Sequence, residues 1–141
     1  MVLNRYLGID PGDARIGIAV SDPSATYALP VEVIEASSFF SRLPRFLDEY
    51  QITHLVVGMP LSLDGSHGKQ ADRVSSFIEK VKSEFSDIEI HTCDERLTSI
   101  QADVVTRAVK RKKKKKVQDA VAASLMLETY LKRLQNRSLQ D

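Results

Sequence analysis

The sequence predicts an α/β domain with a mixed five-stranded sheet and helices on both of its faces. Three apolar segments separated by tight turns open the chain, and this arrangement predicts an antiparallel meander. Helical and strand patterns then alternate, which predicts parallel strands joined by right-handed crossovers. Because residues 52–58 form an almost continuous apolar run, we expect a central strand that is buried on both faces.

The meander has turn residues and glycines at positions that carry structural meaning. In the first turn, at residues 11–13, proline presets φ and Gly12 permits a positive φ. Gly8 and Gly17 lack side chains, so they leave room for another backbone or a ligand. Pro30 cannot donate a ladder hydrogen bond, which indicates an edge strand or a bulge. The three strands are expected at residues 3–9, 15–20 and 26–34.

Helical periodicity begins after the meander. Ser37 or Ser38 is expected to cap a helix that ends near Tyr50. Pro44 either kinks this helix or places its true start close to Arg42. The remaining pattern predicts a helix at 70–85, a strand at 88–93, a helix capped by Thr98 or Ser99, a last helix at 117–134 and a frayed tail at 135–141.

Composition indicates one ordinary globular domain spanning residues 1–141. Hydrophobic residues make up 43% and charged residues 28% of the chain, as in soluble proteins. Cys93 is the single cysteine, which excludes an intrachain disulfide and fits a reducing compartment. We see neither a leader peptide nor an apolar run of about 20 residues, so a cytoplasmic protein without membrane contact is expected.

The basic residues are concentrated in one segment of an otherwise acidic chain. The run carries seven positive charges, and without it the net charge changes from +1 to −6. Such a patch favours a polyanionic partner, such as nucleic acid, that binds at one place. A mobile, solvated loop is the alternative for the same segment. The run consists of Lys110, Arg111, Lys112, Lys113, Lys114, Lys115 and Lys116.

Three acids from distant parts of the chain, one of them either Asp94 or Glu95, are predicted to meet at one edge of the sheet. Asp10 stands where the first strand stops, and Asp94 and Glu95 follow the fifth strand. Asp119 is expected in the first turn of the last helix. Clustered carboxylates repel one another unless a cation lies among them, and their oxygens suit Mg²⁺ or Mn²⁺. Two such ions can clamp a phosphodiester and activate water.

Each acid also has a purely structural interpretation. Asp10 could initiate the turn that follows it, and Asp94 could cap a helix. Glu95 could pair with Arg96 at the surface, and Asp119 could interact with the positive end of its helix. The conjunction of acids with a basic segment favours the functional interpretation.

Other chemistry-bearing residues give weaker signals. The loop at residues 59–69 could cradle phosphate before a helix, although a plain helix entry is favoured. His67 is the one histidine considered for a site. His54 and His91 lie within predicted strands and are expected to be structural, and Cys93 is expected to pack in the core.

Four sequence blocks resemble the YqgF family, also called RuvX. The first block resembles the opening of the family and consists of Leu7-Gly8-Ile9-Asp10-Pro11-Gly12 and Arg15-Ile16-Gly17-Ile18-Ala19-Val20-Ser21-Asp22. The second block consists of Val57-Gly58-Met59-Pro60-Leu61 and Asp64-Gly65. The third block is Asp94-Glu95-Arg96-Leu97-Thr98-Ser99, and the last is Asp119-Ala120-Val121-Ala122-Ala123 with Leu125, Leu127, Tyr130 and Leu131. One departure is Asp13-Ala14, where the family commonly has a lysine before the Arg15 position.

The resemblance implies a ribonuclease H-like fold related to Holliday junction resolvases. It also implies a bacterial cytoplasmic nuclease that matures the 5′ end of pre-16S ribosomal RNA, with Asp10, Glu95 and Asp119 as catalytic acids and Mg²⁺ or Mn²⁺ ligands. Whether Asp94 or Glu95 is the ligand stays open, because adjacent residues of an extended segment point in opposite directions.

Three functions follow from these patterns. The first is a metal-dependent ribonuclease acting on structured ribosomal RNA precursor, and the second is a DNA junction resolvase. The third is a non-catalytic RNA-binding or transcription-associated module. We expect a monomer or weak homodimer whose nucleic-acid contacts come from Arg15, Arg96 and the basic residues at 110–116.

Overall fold

The computed structural model describes residues 4–12, 14–59, 68–94 and 114–140 of the chain. Their helices and strands follow the predicted order. In sequence they are β1 (Tyr6–Pro11), β2 (Arg15–Ser21), β3 (Ala28–Glu35), α1 (Phe39–Glu49), β4 (His54–Met59), α2 (Lys69–Glu84), β5 (Glu89–Asp94) and α3 (Lys114–Gln140). The helix predicted after Thr98 or Ser99 lies outside the described residues.

The strands form one five-stranded mixed sheet in the order β3-β2-β1-β4-β5. The first three strands pair antiparallel, whereas β4 pairs parallel to β1 and β5 parallel to β4. The predicted meander and the parallel pairing are therefore confirmed, and β4 is an interior strand between β1 and β5. The crossover helices α1 and α2 make the parallel pairing possible, because parallel strands cannot be joined by a short hairpin.

Both structures predicted from Pro30, an edge strand and a bulge, are confirmed. β3 is the outer strand of the antiparallel half, and its register with β2 shifts between Ile18 and Ala19. Ile18 pairs with Glu32 and Ala19 with Pro30, so Val31 is the extra residue of the bulge. The missing N–H of Pro30 is tolerated at this edge.

Helices cover both faces of the sheet. On the α1/α2 face, Phe39 and Leu43 of α1 and Val81 of α2 pack against strand residues that include Ile9 and Leu55. On the α3 face, a separate core cluster joins α3 to the sheet, and Ala28 of β3 packs against its rim. Its buried members are Tyr6, Ala19, Val56, Cys93, Ala123, Met126, Leu127 and Leu131. No helix among the described residues is long and apolar enough to cross a membrane.

Two helices differ from the prediction at their ends. α1 begins at Phe39 and keeps Pro44 in its interior, so a start near Arg42 is wrong. Ser38 occupies the N-cap position, but its side chain makes no capping hydrogen bond. α3 begins at Lys114 and continues to Gln140, so the predicted bounds of 117–134 are wrong at both ends.

Candidate active site at the carboxyl end of β1

Asp10 occupies the penultimate position of β1 and is half-buried. It pairs with Gly17 of β2, so its directly opposite neighbour has no side chain. Side chains alternate along a strand, and Asp10 therefore shares the α3 face with Gly8 and Tyr6. This placement gives a carboxylate a rigid support at the sheet edge where the prediction put it.

Gly12 is required by a close contact in the turn after Asp10. Its N–H donates a 2.9 Å hydrogen bond to the carbonyl oxygen of Arg15. A Cβ at this position would lie 2.7 Å from the same oxygen, so any side chain would force the turn open. The predicted reason was a positive φ, and this is wrong because the φ of Gly12 lies outside the left-handed region.

Arg15 lies beside Asp10 on the same face of the sheet. It begins β2, and Ala19, which is four residues later, packs against α3. Because Asp10 pairs with Gly17, Arg15 is its diagonal neighbour, and such positions have Cβ atoms about 7–8 Å apart. A guanidinium is thus available next to the carboxylate.

Asp94 ends β5 on a register that separates it from Asp10. Cys93 pairs with Gly58 and belongs to the core of the α3 face, and its thiol approaches the carbonyl oxygen of Met126 at 3.8 Å. Asp94 pairs with Met59, which packs with the core of the α1/α2 face. Glu95 and Arg96 lie outside the described residues.

Asp119 lies in the second turn of α3, because the helix begins at Lys114. The predicted first-turn position is wrong, and with it the pairing with the positive end of the helix. α3 packs along β1 in the opposite direction: Tyr130 meets Tyr6 with ring centroids 6.1 Å apart, and Ala123 lies at Gly8. The chain therefore approaches Asp10 along β1 in the same direction in which α3, followed backwards, approaches Asp119.

The basic run is partly helical. Lys114, Lys115 and Lys116 form the first turn of α3, so the predicted loop is wrong for these three residues. Lys110, Arg111, Lys112 and Lys113 lie outside the described residues, and so do His67 and most of its loop.

A cavity near the same turn opens on the opposite face of the sheet. Its lining includes Pro11, Phe40, Arg73 and Phe77. Because Pro11 is adjacent to Asp10 in an extended strand, the two side chains project to opposite faces. The cavity is therefore separated from Asp10 by the sheet itself.

One convergence of residues was missed from the sequence. His54, Glu89 and His91 bring possible metal-ligand atoms within 4.8 Å of one another. The available signal was the spacing of two between Glu89 and His91, which places both on one face of a strand. The pairing of β5 with β4 then supplies His54.

Two sequence relatives cover most of the chain. The chain is 40% identical over 134 residues to a protein of a Sulfurihydrogenibium species, covering 94% of this chain and 92% of the relative. A Desulforamulus reducens protein is 40% identical over 132 residues, with 90% and 96% covered. Both relatives carry the name "Putative pre-16S rRNA nuclease".

Solved structures of resolvases share the fold. Thermus thermophilus RuvC in complex with a Holliday junction substrate matches with a TM-score of 0.55 at 14% identity, covering 93% of this chain and 96% of that one. Fowlpox virus resolvase, solved with Holliday junction DNA, gives 0.56 at 13% identity, with 92% and 98% covered. These similarities confirm the ribonuclease H-like fold.

The remaining comparison concerns the family. A family model described as "RuvX: Holliday junction resolvase" matches residues 4–133, which span all of the helices and strands except the end of α3. With this match and the close relatives, the chain belongs to the RuvX (YqgF) family.

Proposed function

We propose that this protein is a metal-dependent nuclease that hydrolyses phosphodiester bonds in the precursor of 16S ribosomal RNA, at its 5′ end. The observation that carries the proposal is the antiparallel packing of α3 along β1, because the chain positions of Asp10 and Asp119 then follow their contacts in the same direction. The names of the relatives, at 40% identity over most of the chain, support the substrate. The cytoplasm is the compartment that we propose.

The periods of strand and helix support a shared site for Asp10 and Asp119. From Gly8 to Asp10 the strand advances two residues, or about 6.6 Å. From Ala123 back to Asp119 the helix advances four residues, or about 6 Å. Since Ala123 meets Gly8, equal advances bring Asp119 level with Asp10.

Strand periodicity also favours Glu95 over Asp94 as the third acid. Position 93 lies on the α3 face with Asp10, and position 94 pairs with Met59 of the other face. In an extended strand, positions two residues apart share a face, which favours Glu95 over Asp94 as the partner of position 93. We therefore propose Asp10, Glu95 and Asp119 as the catalytic acids.

Mg²⁺ or Mn²⁺ fits this donor set, because carboxylate oxygens are the ligands that these cations prefer. When bound, the cation activates water and neutralises charge that develops on the phosphate. Asp10 holds its carboxylate on a rigid strand, with Gly17 opposite leaving space beside it. Arg15 contacts a backbone phosphate from the neighbouring position, and Arg96 and the basic residues at 110–116 extend this contact surface.

A second candidate substrate is a four-way DNA junction. The family description and the fold shared with two junction-bound resolvases favour it. Paired cuts across a junction need a symmetric dimer, whereas cleavage of an RNA precursor needs one copy. We propose that the protein is a monomer or weak homodimer and that it acts on RNA.

The test compares Asp10→Asn with wild type on labelled pre-16S RNA and a four-way DNA junction, each with Mg²⁺, Mn²⁺ or EDTA. We expect cleavage of the RNA by wild type with metal, and a loss of at least 100-fold in Asp10→Asn, because the variant keeps the shape but deletes the ligand charge. Asp48→Asn, which changes an exposed acid on α1, is the matched control and should retain activity.

Three results would contradict the proposal. Full activity of pure Asp10→Asn would exclude Asp10 as a ligand. Cleavage of the DNA junction but not of the RNA would show that the substrate is DNA. Tight RNA binding without cleavage under any metal condition would support a non-catalytic module.

A further inference from the structure

A second cluster of ligating side chains lies at the other end of the sheet from Asp10. His54 Nε2 lies 3.0 Å from Glu89 Oε2, and His91 Nε2 lies 3.4 Å from the same oxygen. The strand register produces this arrangement, because His54 pairs with Glu89 and His91 follows two residues later on the same face. The three ligand atoms all lie within 4.8 Å of one another.

The two imidazoles are held by their neighbours. His54 stacks on Tyr6 at 4.7 Å and on His91 at 5.7 Å between ring centroids, and His91 packs on Tyr130 at 5.6 Å. His54 Nδ1 lies 2.6 Å from the hydroxyl of Thr53. A hydrogen bond to the outer nitrogen is the feature that orients the histidine ligands of metal sites.

The Thr53 hydroxyl is itself fixed by the backbone. It accepts a hydrogen bond from the N–H of Arg5 at 3.0 Å and lies 3.2 Å from the carbonyl oxygen of the same residue. When the hydroxyl donates to that carbonyl, it accepts from Nδ1–H of His54. That tautomer leaves the lone pair of Nε2 directed toward Glu89, as a metal ligand requires.

The donor set determines the class of cation. Two imidazole nitrogens and one carboxylate suit Zn²⁺ and related transition metals, whereas Mg²⁺ prefers oxygen ligands alone. His54 is mostly buried, but Glu89 is 69% exposed, so a cation can enter from solvent and keep water in its remaining positions.

We propose that His54, Glu89 and His91 bind a divalent transition-metal cation of the zinc class at the amino-terminal ends of β4 and β5. The site is distinct from the carboxylate site. Tyr6 pairs with His54, and it precedes Asp10 by four residues, or about 13 Å of extended strand. Such a cation would cross-link the two parallel strands and stabilise the folded state by mass action.

The test titrates metal-free protein with Co²⁺, followed by its visible absorption, and with Zn²⁺, followed by calorimetry. Asp10→Asn is the background, so that the carboxylate site does not contribute. We expect one saturable site with the spectrum of nitrogen-ligated Co²⁺. Glu89→Gln and His91→Gln should each lower the affinity at least about tenfold, since even outer-shell changes cost this much.

The matched control is Asp87→Asn, an exposed acid two residues before Glu89, which should leave the affinity unchanged. At a fixed Zn²⁺ concentration, the Tm should rise in the background protein and in the control, and rise less in the two ligand variants. Mg²⁺ should not compete with Co²⁺. Failure of the background protein to bind Co²⁺ or Zn²⁺ would overturn the site. An unchanged Co²⁺ spectrum and affinity in both ligand variants would do the same.

Discussion

Asp22 shows how one carboxylate fixes a turn of this protein. Its Oδ1 accepts hydrogen bonds from the N–H groups of Thr26 and Tyr27 at 2.8 and 2.7 Å, and its Oδ2 accepts from the N–H and hydroxyl of Ser24. Within the same turn Ala25 has a φ of 55°, a conformation that costs a residue with a side chain about 1–2 kcal/mol. The carboxylate offsets this strain by binding the backbone donors around it.

The same contacts give a pH dependence with a defined sign. The hydrogen bond from the Ser24 hydroxyl, with the backbone N–H groups, lowers the pKa of Asp22 to about 2 from 3.8. The stabilisation from the ionised group is therefore present above pH 3.8 and is lost as the pH falls through 2. We expect Asp22→Asn to lower the Tm near neutral pH, because its amide group cannot accept all of these donors.

Thermal melts between neutral pH and about pH 2.5 measure this effect. The Tm difference between wild type and Asp22→Asn should shrink as the pH falls, whereas the exposed control Asp87→Asn should show no such trend. A difference that stays constant with pH would mean that the charge of Asp22 contributes nothing.

At the level of single residues, the sequence was informative where chemistry is local. The position of Asp10 could be predicted because an apolar strand and a Pro-Gly turn bracket it within a few residues. The cluster of His54, Glu89 and His91 could not, because it depends on the register between β4 and β5. Single residues inside two apolar runs carry no signal of which pairs will meet.

Among the secondary structure elements, β1 and α3 approach each other closely at Gly8. A Cβ added to Gly8 would lie 2.9 Å from Cβ of Leu127 and 3.3 Å from the carbonyl oxygen of Ala123. Neither atom can move by a change of rotamer, so the helix itself would have to shift. The predicted room for another backbone at Gly8 is thereby confirmed, and the backbone is that of α3.

Gly8→Ala should therefore destabilise the protein by about 1–3 kcal/mol, as overpacking of a filled core does. If Asp10 and Asp119 share the proposed site, the variant should also lose cleavage in conditions where it is folded, because a displaced α3 would disturb that site. Urea unfolding and activity assays measure the two effects. Gly68→Ser is the matched control, because a Cβ there meets nothing within 4 Å and serine suits an N-cap. An unchanged free energy of unfolding in Gly8→Ala would contradict this prediction, because it would show that α3 can shift without loss of stability.

The existence of the helices was easier to predict than their ends. The last helix was placed at residues 117–134 because its apolar periodicity stops there, but α3 spans Lys114–Gln140. Lysine, arginine, glutamine and leucine are good helix formers, so the helix continues in both directions without an apolar pattern. Apolar periodicity indicates which part of a helix is buried, and it does not predict how far the helix extends beyond that part.

For the whole molecule, the distribution of charge predicts how nucleic acid is held. The body is acidic, and the seven basic residues at 110–116 are concentrated in one segment that leads into α3. Lysine binds phosphate as a point charge and does not read base edges, so this segment should raise affinity without setting sequence preference.

Replacing Lys112, Lys113, Lys114, Lys115 and Lys116 by glutamine tests this role and keeps helix propensity. On single strands, each phosphate contact contributes about −0.7 to the slope of log affinity against log salt concentration. The slope of the variant should therefore be less steep, by the contribution of several contacts. KM should rise more than kcat falls, because remote contacts bind ground and transition states alike. Lys82→Gln on α2 is the control. An unchanged slope in the quintuple variant would show that the basic run is a solvated surface that does not bind phosphate.

The edge formed by β3 bears on how copies of this protein can associate. An incoming strand needs an uninterrupted row of N–H and C=O groups, and β3 breaks that row with Pro30 and with the bulge at Val31. Tyr27 and Leu29 are 64% and 59% exposed beside this edge, so the interruption protects against aggregation by strand addition. Two copies are thereby discouraged from joining their sheets through β3, and any dimer that makes paired cuts must be built through a different surface.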